Sequence, residues 1–285
     1  MKIDETFAKK LIEGQFPEWS SLPIHEVKNS GWDNRTFHLG EDMLSRIPRD
    51  KEHAPPILKE YQWLPKLATQ LPTLIPIPIG LGEPTVECPW HWSINRWIKG
   101  ETVTKERIQN MSAFAEELGL FLKAFQLLDT TGGPEAGAHN FYRGGSLHAY
   151  DHEMKVAIPR IENSQEREVA TKLWQEALSS QWEKAPVWVH GDFAIGNILV
   201  ENGHLKAVID FGQLAIGDPA CDLVIAWNFF SGKSREVFKN TVALDRNTWI
   251  RALGWAFWKT LCWPIKGTDT KPLLRILFEE YQTIR

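Results

Sequence analysis

Between residues 24 and 47 the apolar positions alternate with polar ones in short runs, Ile24–Lys28, Arg35–Leu39 and Met43–Ile47. Turn clusters Asn29-Ser30-Gly31 and Gly40-Glu41-Asp42 separate them, which predicts strands joined by tight turns. A short helix over residues 4–13 precedes them. After the strands, Ile57, Leu58, Tyr61, Leu64 and Leu67 recur at helical spacing, with Pro55 and Pro56 suited to a first turn. Pro72, Pro76 and Pro78 end that pattern and lead to a further strand pair, the second near His91–Ile98. The period changes at Ile98-Lys99-Gly100-Glu101. Beyond it Met111, Phe114, Leu118, Phe121, Leu122 and Phe125 stripe a long helix over Ile108–Leu128. Residues 150–182 are again mainly helical, Val187–Ile209 returns to strands, and the remainder is helical. The pattern predicts an α+β chain, with a β-rich N-lobe over residues 1–98 and a mainly helical C-lobe over residues 99–285.

Composition changes this picture little. Hydrophobic residues at 43% and charged residues at 24% are those of a globular protein. A formal charge of −4, with the basic residues scattered, gives no footprint for nucleic acid or an anionic membrane. Cys88, Cys221 and Cys262 are too far apart for a zinc or disulfide framework. Charges in Met1–Thr6 argue against a signal peptide, and Arg251, Lys259 and Pro264 interrupt the apolar stretch Trp249–Ile265, which reads as a buried helix. A reduced, cytoplasmic enzyme is the expectation. The 14 tryptophans exceed what a chain of this size usually carries, and a packed core explains them better than a ligand wall.

The chemistry is concentrated in one block, Val189-His190-Gly191-Asp192 to Gly196-Asn197-Ile198, continuing to Ile209-Asp210-Phe211-Gly212. Within it Asn202-Gly203 lies between two apolar runs and predicts a two-residue type I′ hairpin. In that register Asn197 pairs with Val208, and Asn197 and Asp210 become same-face diagonal neighbours about 7–8 Å apart at Cα. Two oxygen-bearing side chains suit Mg²⁺, and Asp192 on the incoming loop is a third group in reach. A metal across phosphates and a carboxylate that takes a hydroxyl proton are the parts of phosphoryl transfer. The order and spacing of H-x-D-x-x-x-x-N followed by D-F-G match protein-kinase catalytic and metal loops.

With Gly217-Asp218-Pro219 and Asp222-Leu223 added, this block resembles the aminoglycoside phosphotransferase family, which has a protein-kinase-like fold and includes macrolide kinases. The similarity runs from about residue 24 to 280. The resemblance implies Asp192 as catalytic base, Asn197 and Asp210 as Mg²⁺ ligands, and His190 as a brace of the loop. Asp218 would cap the helix opened by Pro219, and Asp222 would be structural rather than catalytic. A nucleoside triphosphate, ATP or GTP, is the implied donor. For it the N-lobe offers Ser30, Gly31 and Asn34 between two strands, and Arg46 where the family carries a phosphate-binding lysine. Glu60 is the natural ion-pair partner of Arg46, and Arg96, Trp97 and Ile98 fall where a kinase hinge meets the base.

The acceptor that the resemblance implies is a small hydroxylated molecule, antibiotic-like or metabolic. Residues 130–184 carry eight Asp or Glu against six Lys or Arg, a balance that does not favour a polycation. Alternatives are a metabolite kinase of the choline or methylthioribose type, or a nucleotide-binding pseudokinase scaffold. A protein kinase is disfavoured, because only five residues separate Gly212 from Asp218 and leave no room for a peptide-docking loop.

Overall fold

Alternation of period two folds as expected into a sheet. The structure, a computed structural model, describes all residues except Met1, Asn29, Ser30, Trp32, Ile265, Lys266, Thr268 and Arg285. Helix α1 (Glu5–Gln15) is capped by Asp4, whose carboxylate accepts from Phe7 N at 3.0 Å. Strands β1 (Ile24–Glu26), β2 (Asn34–Leu39) and β3 (Met43–Pro48) follow, then helix α2 (Pro55–Ala68) and strands β4 (Pro78–Gly82) and β5 (Trp92–Arg96). The strands form one antiparallel sheet in the order β1-β2-β3-β5-β4. Phe37, Leu39, Ile47, Trp92 and Ile94 face Leu11 and Ile12 of α1 in its core.

The chain divides into two compact units, residues 1–101 with 206–212, and residues 102–205 with 213–285. Strand β6 (Glu101–Thr102) stands at the first division. The larger unit is built on α3 (Met111–Gln126), α4 (Asp151–Ala157) and α5 (Ser164–Ser179). Strands β7 (Val187–Val189), β8 (Ile198–Glu201), β9 (His204–Val208) and β10 (Ala215–Gly217) come next, then helices α6 (Ile225–Asn228), α7 (Gly232–Val242), α8 (Arg246–Cys262) and α9 (Lys271–Ile284). Helix α3 starts later than its apolar stripe suggests. The Asn110 side chain accepts from Ala113 N at 3.1 Å and fixes the start at Met111. Strand β10 was not expected in a stretch read as helical. It pairs antiparallel with β7, so Ala215 lies opposite Val189, and three residues are too few to show a period of their own.

The tryptophans largely make core. Trp188, Trp255 and Trp258 are fully buried in the larger unit, and α8 is apolar around most of its circumference because its neighbours pack on several sides. Among the described residues no helix is long and apolar enough to cross a membrane.

Candidate active site

The block from His190 to Asn197 folds into a loop fixed from three directions. Strand β7 delivers the chain into a left-handed turn at Gly191, φ 81°, where a Cβ would lie 2.5 Å from the Gln213 carbonyl oxygen. Only glycine fits there. Below the loop, the buried Asp222 carboxylate accepts from His190 N at 2.7 Å and from Gly191 N at 2.8 Å. Burial pushes the Asp222 carboxyl above its ordinary range, against the pull of His190 and these two amides. The buried His190 ring turns back and accepts from Asp192 N through Nδ1 at 3.2 Å. On the far side Asn197 Nδ2 donates to the Asp192 carbonyl at 2.9 Å and comes within 3.4 Å of its Oδ2. Phe193 anchors the middle, stacked 5.8 Å from Phe121 of α3. The result is a half-exposed carboxylate on a braced backbone.

One partner of this carboxylate was not foreseen. Lys259 Nζ of α8 donates to Asp192 Oδ1 at 3.0 Å. Burial would raise the Asp192 carboxyl, but the charge and hydrogen bond of Lys259 outweigh it, with smaller help from His190 and Arg143. The group is held below its ordinary range and is a carboxylate throughout the neutral region. Replacing Lys259 by methionine removes the dominant lowering influence and leaves the burial, so the Asp192 pKa rises. The expected result is an acid limb of kcat/KM displaced to higher pH, read from a pH–rate profile of the free enzyme. An unmoved limb would show that Lys259 does not govern this carboxylate.

In the smaller unit Arg46 on β3 forms an ion pair with the buried Glu60 of α2, and its Nη2 lies 3.5 Å from Asp210 Oδ1. Burial works against the Arg46 charge, but Glu60 and Asp210 overcome it and hold the guanidinium above its ordinary pKa. Asp210 itself is half-exposed and has a left-handed backbone, φ 64°. Gly31 O accepts from Arg49 Nη2 at 3.4 Å, and Asn34 is buried with its Oδ1 unpartnered. Ser30 lies outside the described residues. Of the three expected hinge residues, Arg96 N donates to Ile77 O at 3.1 Å and Trp97 N to Asp42 O at 2.8 Å. Among the described residues only the Ile98 N–H of these three has no such backbone partner.

The expected hairpin turn is present, with Asn202 and Gly203 left-handed at φ 54° and 83°. Asp218 caps the 3-10 turn Pro219–Val224, accepting from Ala220 N at 3.0 Å. Among the described residues no three His, Cys, Asp or Glu side chains gather as a metal cage. Asn197 spends its amide nitrogen on Asp192, so its Oδ1 is the atom left to act as a hard oxygen donor. Asp210 supplies carboxylate oxygens from its exposed position. Oxygen donors of this kind fit Mg²⁺.

A β-rich N-terminal region followed by a largely helical one, with this loop between its strands, is the two-lobed protein-kinase-like fold. The sequence profile of the phosphotransferase enzyme family matches residues 26–256, and the chain belongs to that family. The GDP complex of wild-type aminoglycoside 2′-phosphotransferase-IIIa superposes with a TM-score of 0.74 over 99% of each chain, at 17% identity. The macrolide 2′-phosphotransferase MphH from Brachybacterium faecium gives 0.62 over 98% of this chain and 89% of that one, at 19% identity. An aminoglycoside 3′-phosphotransferase from Escherichia coli is 33% identical over 75 residues, a stretch spanning only 27% of that relative's length and 26% of this chain.

Proposed function

We propose that the protein is an O-phosphotransferase that moves the γ-phosphate of ATP or GTP to a hydroxyl of a small acceptor, with Asp192 as the base. The observation that carries this reading is the carboxylate of Asp192, half-exposed and ionised, on a loop whose neighbours are all committed to holding it. Related proteins of this family were crystallised with GDP, ADP and ATP, which supports a nucleoside triphosphate donor without choosing its base.

In the proposed reaction the acceptor oxygen forms a bond to the γ-phosphorus as the bond from that phosphorus to the bridging oxygen breaks. Nucleoside diphosphate leaves, and the hydroxyl proton passes to Asp192 Oδ. Asn197 Oδ1 and the Asp210 carboxylate are the proposed oxygen donors for Mg²⁺, which would supply charge neutralisation for the phosphates. The low pKa of Asp192 makes it a modest base. It accepts the proton late, and its main contribution before that is to orient the hydroxyl. Asn197 keeps Asp192 in place through its carbonyl, and Asp222 and His190 keep the loop backbone in place. Arg46, held charged by Glu60, is the proposed phosphate contact, and the backbone of Ile98 the proposed contact for the base. Cytoplasmic location is proposed with this activity.

The test is release of nucleoside diphosphate from Mg-ATP and Mg-GTP, with and without a panel of hydroxylated acceptors. Acceptor-stimulated release that depends on Asp192 supports the reading. Nucleotide binding with no stimulation by any acceptor overturns it in favour of a scaffold.

A further inference from the structure

Among the described residues no carboxylate forms an ion pair with Arg143. Its guanidinium is half-buried, forms no ion pair or side-chain hydrogen bond among the described residues, and has an Nη1 that is sealed without any acceptor. Buried guanidinium donors are normally satisfied by a carboxylate, carbonyl or phosphate. Among the described residues its partners are aromatic faces, with Cζ 4.6 Å above the Trp258 ring, 5.4 Å from Trp255 and 6.0 Å from Tyr150.

The backbone that presents Arg143 is unusual too. Phe141 and Tyr142 are both left-handed, φ 52° and 54°, a costly conformation for two successive aromatic residues. It persists because Tyr142 N donates to Gly137 O at 2.8 Å, Tyr150 Oη donates to Phe141 O, and the buried Asn140 side chain donates to Arg143 O at 2.7 Å. The segment is over-determined, and what it fixes is the position of Arg143.

That position is beside the reacting carboxylate. Trp255 and Lys259 are four residues apart on one face of α8, so the ring 5.4 Å from Arg143 and the ammonium on Asp192 are neighbours. The field of Arg143 is among those that lower the Asp192 carboxyl. Lys259 spends one of its three N–H bonds on Asp192 and has two more to offer. The acidic groups nearby are already committed. Asp222 lies beneath the loop on two backbone amides, and Glu153 accepts from the Trp258 indole at 2.8 Å.

We infer that Arg143 and Lys259 form an anion clamp, and that the acceptor carries a carboxylate or phosphate beside the hydroxyl it presents to Asp192. The inference rests on the phosphotransferase reading and deepens it by naming the acceptor's charge. The anionic group takes no part in bond making. It is gripped by the guanidinium over the aromatic shelf and by the ammonium, which places the neighbouring hydroxyl at Asp192. A polycationic aminoglycoside would meet two like charges there.

The test is a charge series on two scaffolds. Glycerol, glycerate, glycerol 3-phosphate and 2-amino-1,3-propanediol make the first, and glucose, glucuronate, glucose 6-phosphate and glucosamine the second. Calorimetric Kd in the presence of Mg-nucleotide and kcat/KM for nucleoside diphosphate release are both measured. The expected result is that an anionic member binds about tenfold or more tighter than its neutral and cationic counterparts. Carboxylate and phosphate arms separate the two sources of charge. Arg143→Met should abolish that preference while displacing the acid limb less than Lys259→Met does, because Arg143 is the smaller of the two influences on Asp192, and Arg143→Lys should restore part of the preference. No preference, a preference for the amines, or no binding by any member overturns the clamp. Anion binding that depends on Arg143 without turnover keeps the clamp and sinks the transfer reaction, so the two failures are distinguishable.

Discussion

Asp192→Ala is expected to lower acceptor-stimulated nucleoside diphosphate release by about a hundred- to ten-thousandfold, the range for losing a positioned general base. The fold should survive the change. The side chain is half-exposed, its one ion-pair partner Lys259 is itself partly exposed, and the loop backbone is held by Asp222, His190 and Asn197 rather than by the carboxylate. Binding of Mg-nucleotide, followed by the shift it causes in thermal unfolding, should therefore be retained. Asp192→Asn is the closer control, because it keeps the size and one acceptor oxygen for Lys259 while removing the negative charge and the basicity. Turnover in either variant within a few-fold of the wild type would mean that another group takes the proton, and the assignment would fall.

The second large effect concerns stability. Arg251 on α8 is almost fully buried, and its Nε donates to Asp218 Oδ2 at 2.6 Å while Nη2 reaches Oδ1 at 3.3 Å. Its remaining donors go to Ser180 Oγ at 2.8 Å, the Gln181 carbonyl at 3.2 Å and Thr248 Oγ1 at 3.1 Å. Burial pushes the Asp218 carboxyl up in spite of this guanidinium, so desolvation exceeds what the pairing returns. Such a pair adds little net stability, but breaking it leaves a charge stranded. Asp218→Ala also removes the cap on Pro219–Val224. It should destabilise the protein by about 3–5 kcal/mol, measured by denaturant unfolding. The double variant Asp218→Leu/Arg251→Met should recover much of that loss, because no lone charge remains. A double variant as unstable as the single one would show that the cap and packing, rather than the stranded charge, set the cost.

What was legible in the sequence was what is local. The Asn202-Gly203 turn and the cap at Asp218 follow from residues within a few positions of each other, where backbone geometry leaves few choices, whereas the structural role of Asp222 came with the family resemblance, since its partners His190 and Gly191 are distant in sequence. The pairing of Arg46 with Glu60 was legible across 14 residues because a strand followed by a helix fixes which face meets which. Lys259 was not, since it stands 67 residues from Asp192 on a helix whose face toward the loop is set by packing alone. A basic residue within an apolar helix was the available signal, and it served only to exclude a membrane span. Arg143 sat between the helix read over Ile108–Leu128 and the helical residues 150–182, in a stretch to which no element was assigned, and nothing in the local pattern predicts left-handed backbone at Phe141 and Tyr142. The candidate hinge residues came with the resemblance, which does not tell that the Trp97 amide is already spent on Asp42.

Asp210 carries a further lesson in its left-handed backbone, φ 64°. Glycine adopts that conformation freely, whereas an L side chain there costs about 1 kcal/mol, somewhat less for aspartate than for bulkier residues. On the proposed role of Asp210 as a Mg²⁺ donor, selection for thermal endurance alone would thus be expected to drift toward Asp210→Gly, a variant relieved of that backbone cost and expected to lose turnover. Any directed-evolution campaign on this enzyme that scores survival on heating without scoring chemistry will select against its own purpose at this position.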